Sequence, residues 1–161
     1  MYDIYMKRTV KILENSDILE VKSGIICHQT NCIGVMGGGI ALSIRQKWPE
    51  VYEQYIKYCK QYNDSRCILG DVQTVILGTN LFVANCFGQL KPGYGLMTDY
   101  TAWDKILPQL ADSAIYLNNS DIHFPWMIGC GLAGGDWNIM RSKIENFFDG
   151  SSIQVYIHKF C

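Results

Sequence analysis

Four polar residues directly before a run of glycines are the part of the chain best suited to chemistry. They are His28, Gln29, Thr30 and Asn31. Histidine titrates near neutral pH, and amide and hydroxyl side chains both donate and accept hydrogen bonds. The apolar residues Ile25 and Ile26 indicate the end of a buried strand, so we expect the four polar residues at its carboxyl end. Open α/β sheets bind ligands at that end of their strands.

The glycines that follow are typical of a backbone that approaches a ligand closely. They are Gly34, Gly37, Gly38 and Gly39. A helix is predicted over residues 40–47, and the free N–H groups and positive dipole at its start suit an anion. This order of strand, glycine loop and helix is typical of a phosphate-binding site. The loop has neither the G-x-G-x-x-G fingerprint nor the P-loop consensus.

A second glycine loop has the same surroundings. Residues 128–136 read IGCGLAGGD, follow a predicted strand over 122–127 and enter a predicted helix over 137–148. Because ligands lie at the carboxyl ends of the strands in such sheets, we expect the two loops to face each other across one crevice. Two anion-binding loops around one crevice indicate a diphosphate held from both sides.

Composition limits the class of protein. The 161 residues suit one domain, with 48% apolar and 18% charged residues. A net charge of −1 gives no bulk attraction to nucleic acid or an acidic membrane. No apolar run approaches the ~20 residues of a membrane span, and the first residues lack a secretory apolar region. Seven scattered cysteines without a C-x-x-C pair favour free thiols in a reducing cytoplasm and no metal site.

Strand and helix patterns alternate along the chain, which predicts an α/β fold with a mixed sheet between layers of helices. Strands are predicted within residues 4–14 and over residues 24–27, 72–77, 81–87, 122–127 and 152–157. Helices are predicted over residues 40–47, 50–61, 98–110 and 137–148. Thr98 is the expected cap of the third helix, and Pro108 is expected to kink or divide it.

The segments HQTNCIGVMGGGIA and IGCGLAGGDW resemble the macrodomain, the ADP-ribose-binding fold, and the resemblance covers nearly the whole chain. It implies a single macrodomain over residues 1–161 with three α/β/α layers around a central mixed sheet. The branch it resembles most is the small stand-alone macrodomains of fungi and phages, which are ADP-ribose 1''-phosphate phosphatases. Their mark is a His-x-x-Asn run before the glycines.

The resemblance implies binding roles for the turn at 15–17 and for both loops. Asp17 would accept a hydrogen bond from the adenine amino group beside the Ile18 amide. A helix cap is the alternative for Asp17, and the two roles can coexist. Asn31 would hold the distal ribose, and Gln89 belongs to a loop over residues 88–97 that would close over it. The other implied binding residues are Gln29, Thr30, Gly37, Gly38, Gly39, Ile40, Gly129, Cys130, Gly131, Leu132, Ala133 and Gly134.

The candidate catalytic residues His28 and Asp136 each have a structural role as an alternative. His28, at the mouth of the crevice, is the candidate acid or base, with Asn31 and Asp136 orienting water or the distal ribose. A hydrogen-bonded structural histidine is the alternative for His28, and an N-cap is the alternative for Asp136. Cys130 is expected to pack rather than to act as a nucleophile, because no basic partner lies near it in sequence. Tyr156 and Phe160 are candidates for stacking on adenine or for the core.

These roles predict a protein that binds ADP-ribose and dephosphorylates ADP-ribose 1''-phosphate. A related branch hydrolyses ADP-ribosyl-glutamate with a lysine, but the corresponding stretch VANCFGQ has none, and Ala133 stands where the partner aspartate falls. A non-catalytic reader of ADP-ribose is one alternative, and a hydrolase that removes ADP-ribose from protein or nucleic acid is another. We expect a cytoplasmic monomer, in the host cytoplasm if the source is viral, with no cofactor and no membrane partner.

Overall fold

A computed structural model describes residues 7–118 and 120–160 of the chain. Across these residues it contains one six-stranded sheet, whose strands are β1 (Lys11–Glu14), β2 (Gly24–Thr30), β3 (Val72–Ile76), β4 (Leu81–Phe87), β5 (Ile122–Pro125) and β6 (Val155–Lys159). The α-helices are α1 (Gly39–Lys47), α2 (Pro49–Lys60), α3 (Tyr100–Tyr116) and α4 (Trp137–Phe148). Short 3-10 helices cover Ile18–Glu20 and Ser65–Ile68.

The strand order β1-β6-β5-β2-β4-β3 produces a mixed sheet. Only the β3–β4 pair is antiparallel, because a short turn joins these two strands, whereas parallel neighbours need longer crossovers. All strands except β3 run parallel to one another, namely β1, β2, β4, β5 and β6. Their carboxyl ends therefore reach the same edge of the sheet, where the turn at 15–17 and the loops after β2, β4 and β5 come together.

β2 lies at the centre of the sheet, and all seven of its residues are buried. Ile25 and Cys27 face a core formed with α3 and α4, whereas Ile26 faces a second core formed with α1 and α2. Two cores on opposite faces of one sheet confirm the predicted three layers. This architecture places the loop after β2 between the loops of its neighbours β4 and β5.

Several predicted boundaries are wrong. β2 continues to Thr30, which pairs with Phe87 of β4, so His28 lies within the strand and not beyond its end. The third helix begins after Asp99, whose carboxylate accepts a hydrogen bond from the Ala102 N–H at 2.9 Å. Thr98 is therefore not its cap.

The third helix also runs through Pro108 to Tyr116 without dividing. β5 ends at Pro125 and β6 begins at Val155. Of the strand expected within residues 4–14, only β1 forms in the described part, and residues 1–6 lie outside the described residues.

The described cysteines are free thiols. In the described ranges, no group of three or more metal-ligating side chains comes together. None of the helices described is long and apolar enough to cross a membrane.

Candidate functional site

A crevice crosses the carboxyl edge of the sheet between the two glycine loops. It consists of three adjoining cavities of about 300, 250 and 520 Å³. Gln89 and Leu132 line all three cavities and therefore mark its middle. Among the described residues, no aspartate, glutamate, lysine, arginine or histidine lines the crevice. An anion bound there must therefore be held by backbone N–H groups and by neutral side chains.

The first helix, α1, begins at this crevice. Gly38, Gly39, Ile40 and Ala41 line the cavity at its start. The N-cap residue, Gly38, supplies no side-chain hydrogen bond, whereas α3 and α4 are each capped by an aspartate. The first N–H groups of a helix lack partners within the helix and carry its positive dipole end. At α1, these groups are open to an anionic ligand in the crevice.

Gln29 joins the three loops of the site. Its Nε2 donates to Gln89 Oε1 and to Thr98 Oγ1, both at 2.9 Å. Its Oε1 accepts a hydrogen bond of 2.7 Å from the indole Nε1 of the buried Trp103. Thr98 in turn donates to the Gly129 carbonyl at 2.5 Å. One side chain at the end of β2 thus holds the loops after β4 and β5 in a fixed relation.

Asn31 organises the first glycine loop from within. Its Oδ1 accepts from the N–H groups of Ile33 and Val35 at 3.1 and 3.3 Å, and its Nδ2 donates to the Val35 carbonyl at 2.7 Å. Tyr55 reaches the same amide from α2. Most of the hydrogen-bonding capacity of Asn31 therefore serves the loop itself, while its side chain still borders the 250 Å³ cavity.

The second glycine loop packs tightly against the loop after β4. Gly134 has φ +71°, and a Cβ at this position would overlap the Gly95 carbonyl oxygen. The Ala133 carbonyl accepts hydrogen bonds from Met97 N at 2.7 Å and from Thr98 N at 3.2 Å. Only glycine allows both this left-handed backbone and this approach. The flap over residues 88–97 and the second loop therefore form one continuous wall of the crevice.

Leu132 lies across the crevice from the start of α1. Its side chain is 78% exposed, and a Cβ on Gly38 would lie 2.8 Å from its Cδ1. On one side of this contact the crevice is lined by Trp126 and Met127, and on the other by the flap. The positive charge of Lys159 lies close to Trp126, with its Nζ 4.6 Å from the centre of the ring system. The two halves of the crevice thus differ in chemistry.

The predicted place of His28 at the mouth of the crevice is wrong. The side chain is completely buried and points to the face of β2 that carries Ile26, under α1 and α2. Its Nε2 donates to Asn85 Oδ1 at 2.5 Å. Burial lowers its pKa to about 4, so the imidazole is neutral at pH 7. His28 therefore does not line the crevice, and its Nδ1 has no hydrogen-bond partner among the described residues.

Four other predicted residues lie outside the lining, namely Asp17, Ile18, Cys130 and Asp136. Asp17 caps the 3-10 helix after the turn, with its Oδ1 accepting from Leu19 N at 2.9 Å. Asp136 caps α4 through a 2.8 Å bond from Asn138 N. Cys130 is buried, and burial raises the pKa of its thiol to about 11, as a packing residue requires. The caps do not exclude ligand contacts by the second carboxylate oxygens.

The structure brings the other predicted binding residues together along the crevice; they are Gln29, Thr30, Asn31, Gly37, Gly38, Gly39, Ile40, Gln89, Gly129, Gly131, Leu132, Ala133 and Gly134. Ile18 is buried beside α1. Tyr156 stacks on His123 with ring centres 5.4 Å apart, and Phe160 is exposed. His123 and His158 form a buried hydrogen-bonded pair at 2.8 Å.

Sequence reasoning missed two parts of the site. Pro125 and Trp126 line the crevice at the end of β5, and the rule that ligands lie at strand ends could have found them. Tyr55 contacts the first glycine loop, although its helical spacing from Val51 and Tyr58 is that of a core residue. No local signal marks a hydroxyl that reaches a loop 21 residues away in sequence.

Comparison with known proteins shows the family. The sequence model of the Macro domain matches residues 27–144, a range that contains both glycine loops. A relative from Saccharomyces cerevisiae (strain YJM789) named ADP-ribose 1''-phosphate phosphatase is 27% identical over 169 residues, covering 87% of this chain and 94% of that protein.

Solved structures agree with this match. A protein of unknown function from Bacteroides thetaiotaomicron has a TM-score of 0.82 and 30% identity, covering 94% of this chain and 99% of that chain. Thermosipho africanus DarTG in complex with ADP-ribose has the same fold, with a TM-score of 0.75 and 17% identity over 96% of this chain and 44% of that chain. Both glycine loops fall inside the matched range, and the three-layer fold agrees with these neighbours. The chain therefore belongs to the Macro domain family.

Proposed function

We propose that the crevice binds ADP-ribose, with the diphosphate held between the two glycine loops. The observation that carries this proposal is the uncapped start of α1, which opens onto a crevice without charged side chains. Backbone N–H groups at a helix start bind phosphate groups. The ADP-ribose complex of a protein with the same fold supports the choice of ligand.

The two ends of the crevice suit the two ends of this ligand. The end lined by Trp126 and Met127 suits adenine, whose rings gain from apolar and aromatic contact. Asp17, in the turn at this edge of the sheet, is the proposed acceptor for the adenine amino group. The end lined by Asn31 and Thr30 suits the distal ribose. At this end, the buried Thr30 hydroxyl has no hydrogen-bond partner among the described residues.

Calorimetric titration with ADP-ribose tests this proposal. The expected result is saturable binding to the wild type and weaker binding to Gly38→Val, because the backbone at Gly38 is extended (φ −156°) and accepts a side chain that then fills the crevice. Gly78→Val is the matched control, since Gly78 lies in the β3–β4 turn with open space around it. Absence of heat with the wild type at millimolar ADP-ribose would refute the proposal.

We propose further that the protein hydrolyses ADP-ribose 1''-phosphate to ADP-ribose and phosphate. The name of the yeast relative supports this substrate. Water attacks phosphorus, the bond between phosphorus and the 1''-oxygen breaks, and that oxygen takes a proton. The crevice has no carboxylate or imidazole in its lining. A phosphate monoester has a second pKa near 6, so the substrate itself can supply this proton.

In this mechanism the neutral amides of Asn31 and Gln89 position the water and the distal ribose, and His28 takes no direct part. Phosphate release is therefore expected to fall strongly in Asn31→Ala, and also in Gln89→Glu, which adds a negative charge to a crevice that binds an anion. A wild type that binds ADP-ribose but releases no phosphate would favour the alternative, a reader of ADP-ribose. The neutral lining is equally suited to that role.

A further inference from the structure

Tyr55 is a buried tyrosine of α2 whose hydroxyl leaves the core and enters the first glycine loop. Its side chain is fully buried, and its ring stacks on Phe87 of β4 with centres 5.9 Å apart. The ring is therefore fixed by packing between helix and sheet. Burial raises the pKa of its hydroxyl, so the group remains protonated and can donate a hydrogen bond.

This hydroxyl contacts both ends of a tight loop. It lies 2.8 Å from the Asn31 carbonyl oxygen and 2.7 Å from Asn31 Oδ1, which share its proton. It accepts a hydrogen bond from Gly34 N at 3.2 Å. A single buried group thus satisfies polar atoms on both sides of the loop over residues 31–34.

The opposite side of the loop is attached to the flap. Cys32 N donates to the Leu90 carbonyl at 3.0 Å, and the Cys32 thiol donates to the Gln89 carbonyl at 3.3 Å. The loop is therefore held between α2 and the flap. Asn31 and Val35, which border the 250 Å³ cavity, take their positions from these two attachments.

We propose that Tyr55 is a positioning residue, whose hydroxyl holds the Asn31 loop in the shape that binds the distal ribose. The inference rests on the proposed function, because it assigns the distal ribose to this end of the crevice. Tyr55 does not touch the ligand. It acts through Asn31 and Gly34. Loss of its hydroxyl therefore weakens binding of the distal ribose and leaves the affinity for the remainder of the ligand unchanged.

The test is Tyr55→Phe, which keeps the stacked ring and removes the hydroxyl. Tyr58→Phe is the matched control: Tyr58 lies on the same helix, its ring stacks on Phe87 with centres 5.2 Å apart, and its hydroxyl donates to Asp71 Oδ2 at 2.7 Å. Affinities for ADP-ribose and for ADP, which lacks the distal ribose, are measured by calorimetry for each protein, together with the melting temperature.

We expect Tyr55→Phe to weaken ADP-ribose binding about tenfold, the scale of a lost hydrogen-bond partner, and to change ADP binding less than twofold. Tyr58→Phe is expected to leave both affinities unchanged. Unchanged ADP-ribose affinity in Tyr55→Phe, or an equal loss for both ligands, would overturn the inference. A wild type that does not bind ADP-ribose would instead overturn the proposed function.

Gly34→Ala tests the same loop without touching the core. Gly34 has φ +85°, and the nearest atom to an added Cβ is Ile56 Cδ1 at 3.9 Å, so the substitution strains the backbone without a clash. The same selective loss of ADP-ribose affinity is expected. If Tyr55→Phe does not fold and Gly34→Ala binds ADP-ribose as the wild type does, the loop shape does not control the distal ribose and the inference is wrong.

Discussion

Replacing Gln29 by leucine removes the side chain that joins the loops of the crevice. The substitution keeps the approximate volume and removes three hydrogen bonds, to Gln89, Thr98 and Trp103. A net hydrogen bond contributes about 1 kcal/mol, and a buried donor left without an acceptor costs about 1–3 kcal/mol. Because the Trp103 indole is fully buried, we expect the free energy of unfolding to fall by about 3 kcal/mol in total.

Urea denaturation followed by tryptophan fluorescence measures this change. For a domain of this size, 1 kcal/mol corresponds to about 2–4 °C in melting temperature, so a decrease of about 6–12 °C is expected. ADP-ribose affinity should fall as well, because the flap and the second glycine loop lose their common attachment. The two effects are measured on the same protein preparation.

Gln109→Leu is the matched control. Its side chain also makes three hydrogen bonds, to Gly70, Lys105 and Val72, but these lie away from the crevice. It is expected to lose stability and to keep its ADP-ribose affinity. A decrease of less than about 1 kcal/mol in the free energy of unfolding of Gln29→Leu would refute the proposed role of Gln29 in holding the loops together. Full additivity of Gln29→Leu and Trp103→Phe in a double-mutant cycle would refute it as well.

Three further predictions concern the flap, the adenine end and pH. Gly134→Ala places a Cβ on the Gly95 carbonyl and should lower ADP-ribose affinity about tenfold or more by calorimetry. Asp17→Asn keeps a capping oxygen and removes the charge, so we expect weaker ADP-ribose binding and less discrimination against the hypoxanthine analogue. Burial lowers the pKa of all three histidines to about 4. The unfolded chain then binds more protons below pH 6.5, so stability should fall between about pH 6.5 and 4, by up to about 1.4 kcal/mol per pH unit for each histidine.

Each of these predictions has an outcome that contradicts it. Wild-type affinity in Gly134→Ala would show that the flap does not form a wall of the binding site. Equal preference of Asp17→Asn and the wild type for adenine over hypoxanthine would limit Asp17 to its cap. In urea titrations at several pH values, His28→Gln should reduce the pH slope, and an unchanged slope would mean that His28 does not contribute to it.

Local chemistry made much of the fold predictable. Pro49 ends one helix and begins the next, Asp136 caps α4, and the apolar spacing of residues 137–148 marks its buried face. The hairpin between β3 and β4 also follows from its short turn. These signals depend on residues within a few positions of each other, so the sequence carries them without knowledge of the remaining chain.

The glycine loops were predictable for the same reason. A strand, a glycine-rich turn and a helix start are adjacent in sequence, and their shared position at the carboxyl edge follows from the parallel order of the strands. The family resemblance rested on these two segments, and the Macro domain match over residues 27–144 confirms it.

The sequence by itself thus determined that two loops with open backbone N–H groups face one crevice. Only the tertiary structure decided which side chains reach it. Pairing of β2 with β4 through Thr30 turns His28 into the core and Gln29 toward the loops, and packing of α2 places the Tyr55 hydroxyl against Asn31. The physical reason is that the direction of a side chain depends on strand register and helix packing, which are set by contacts between residues far apart in the chain.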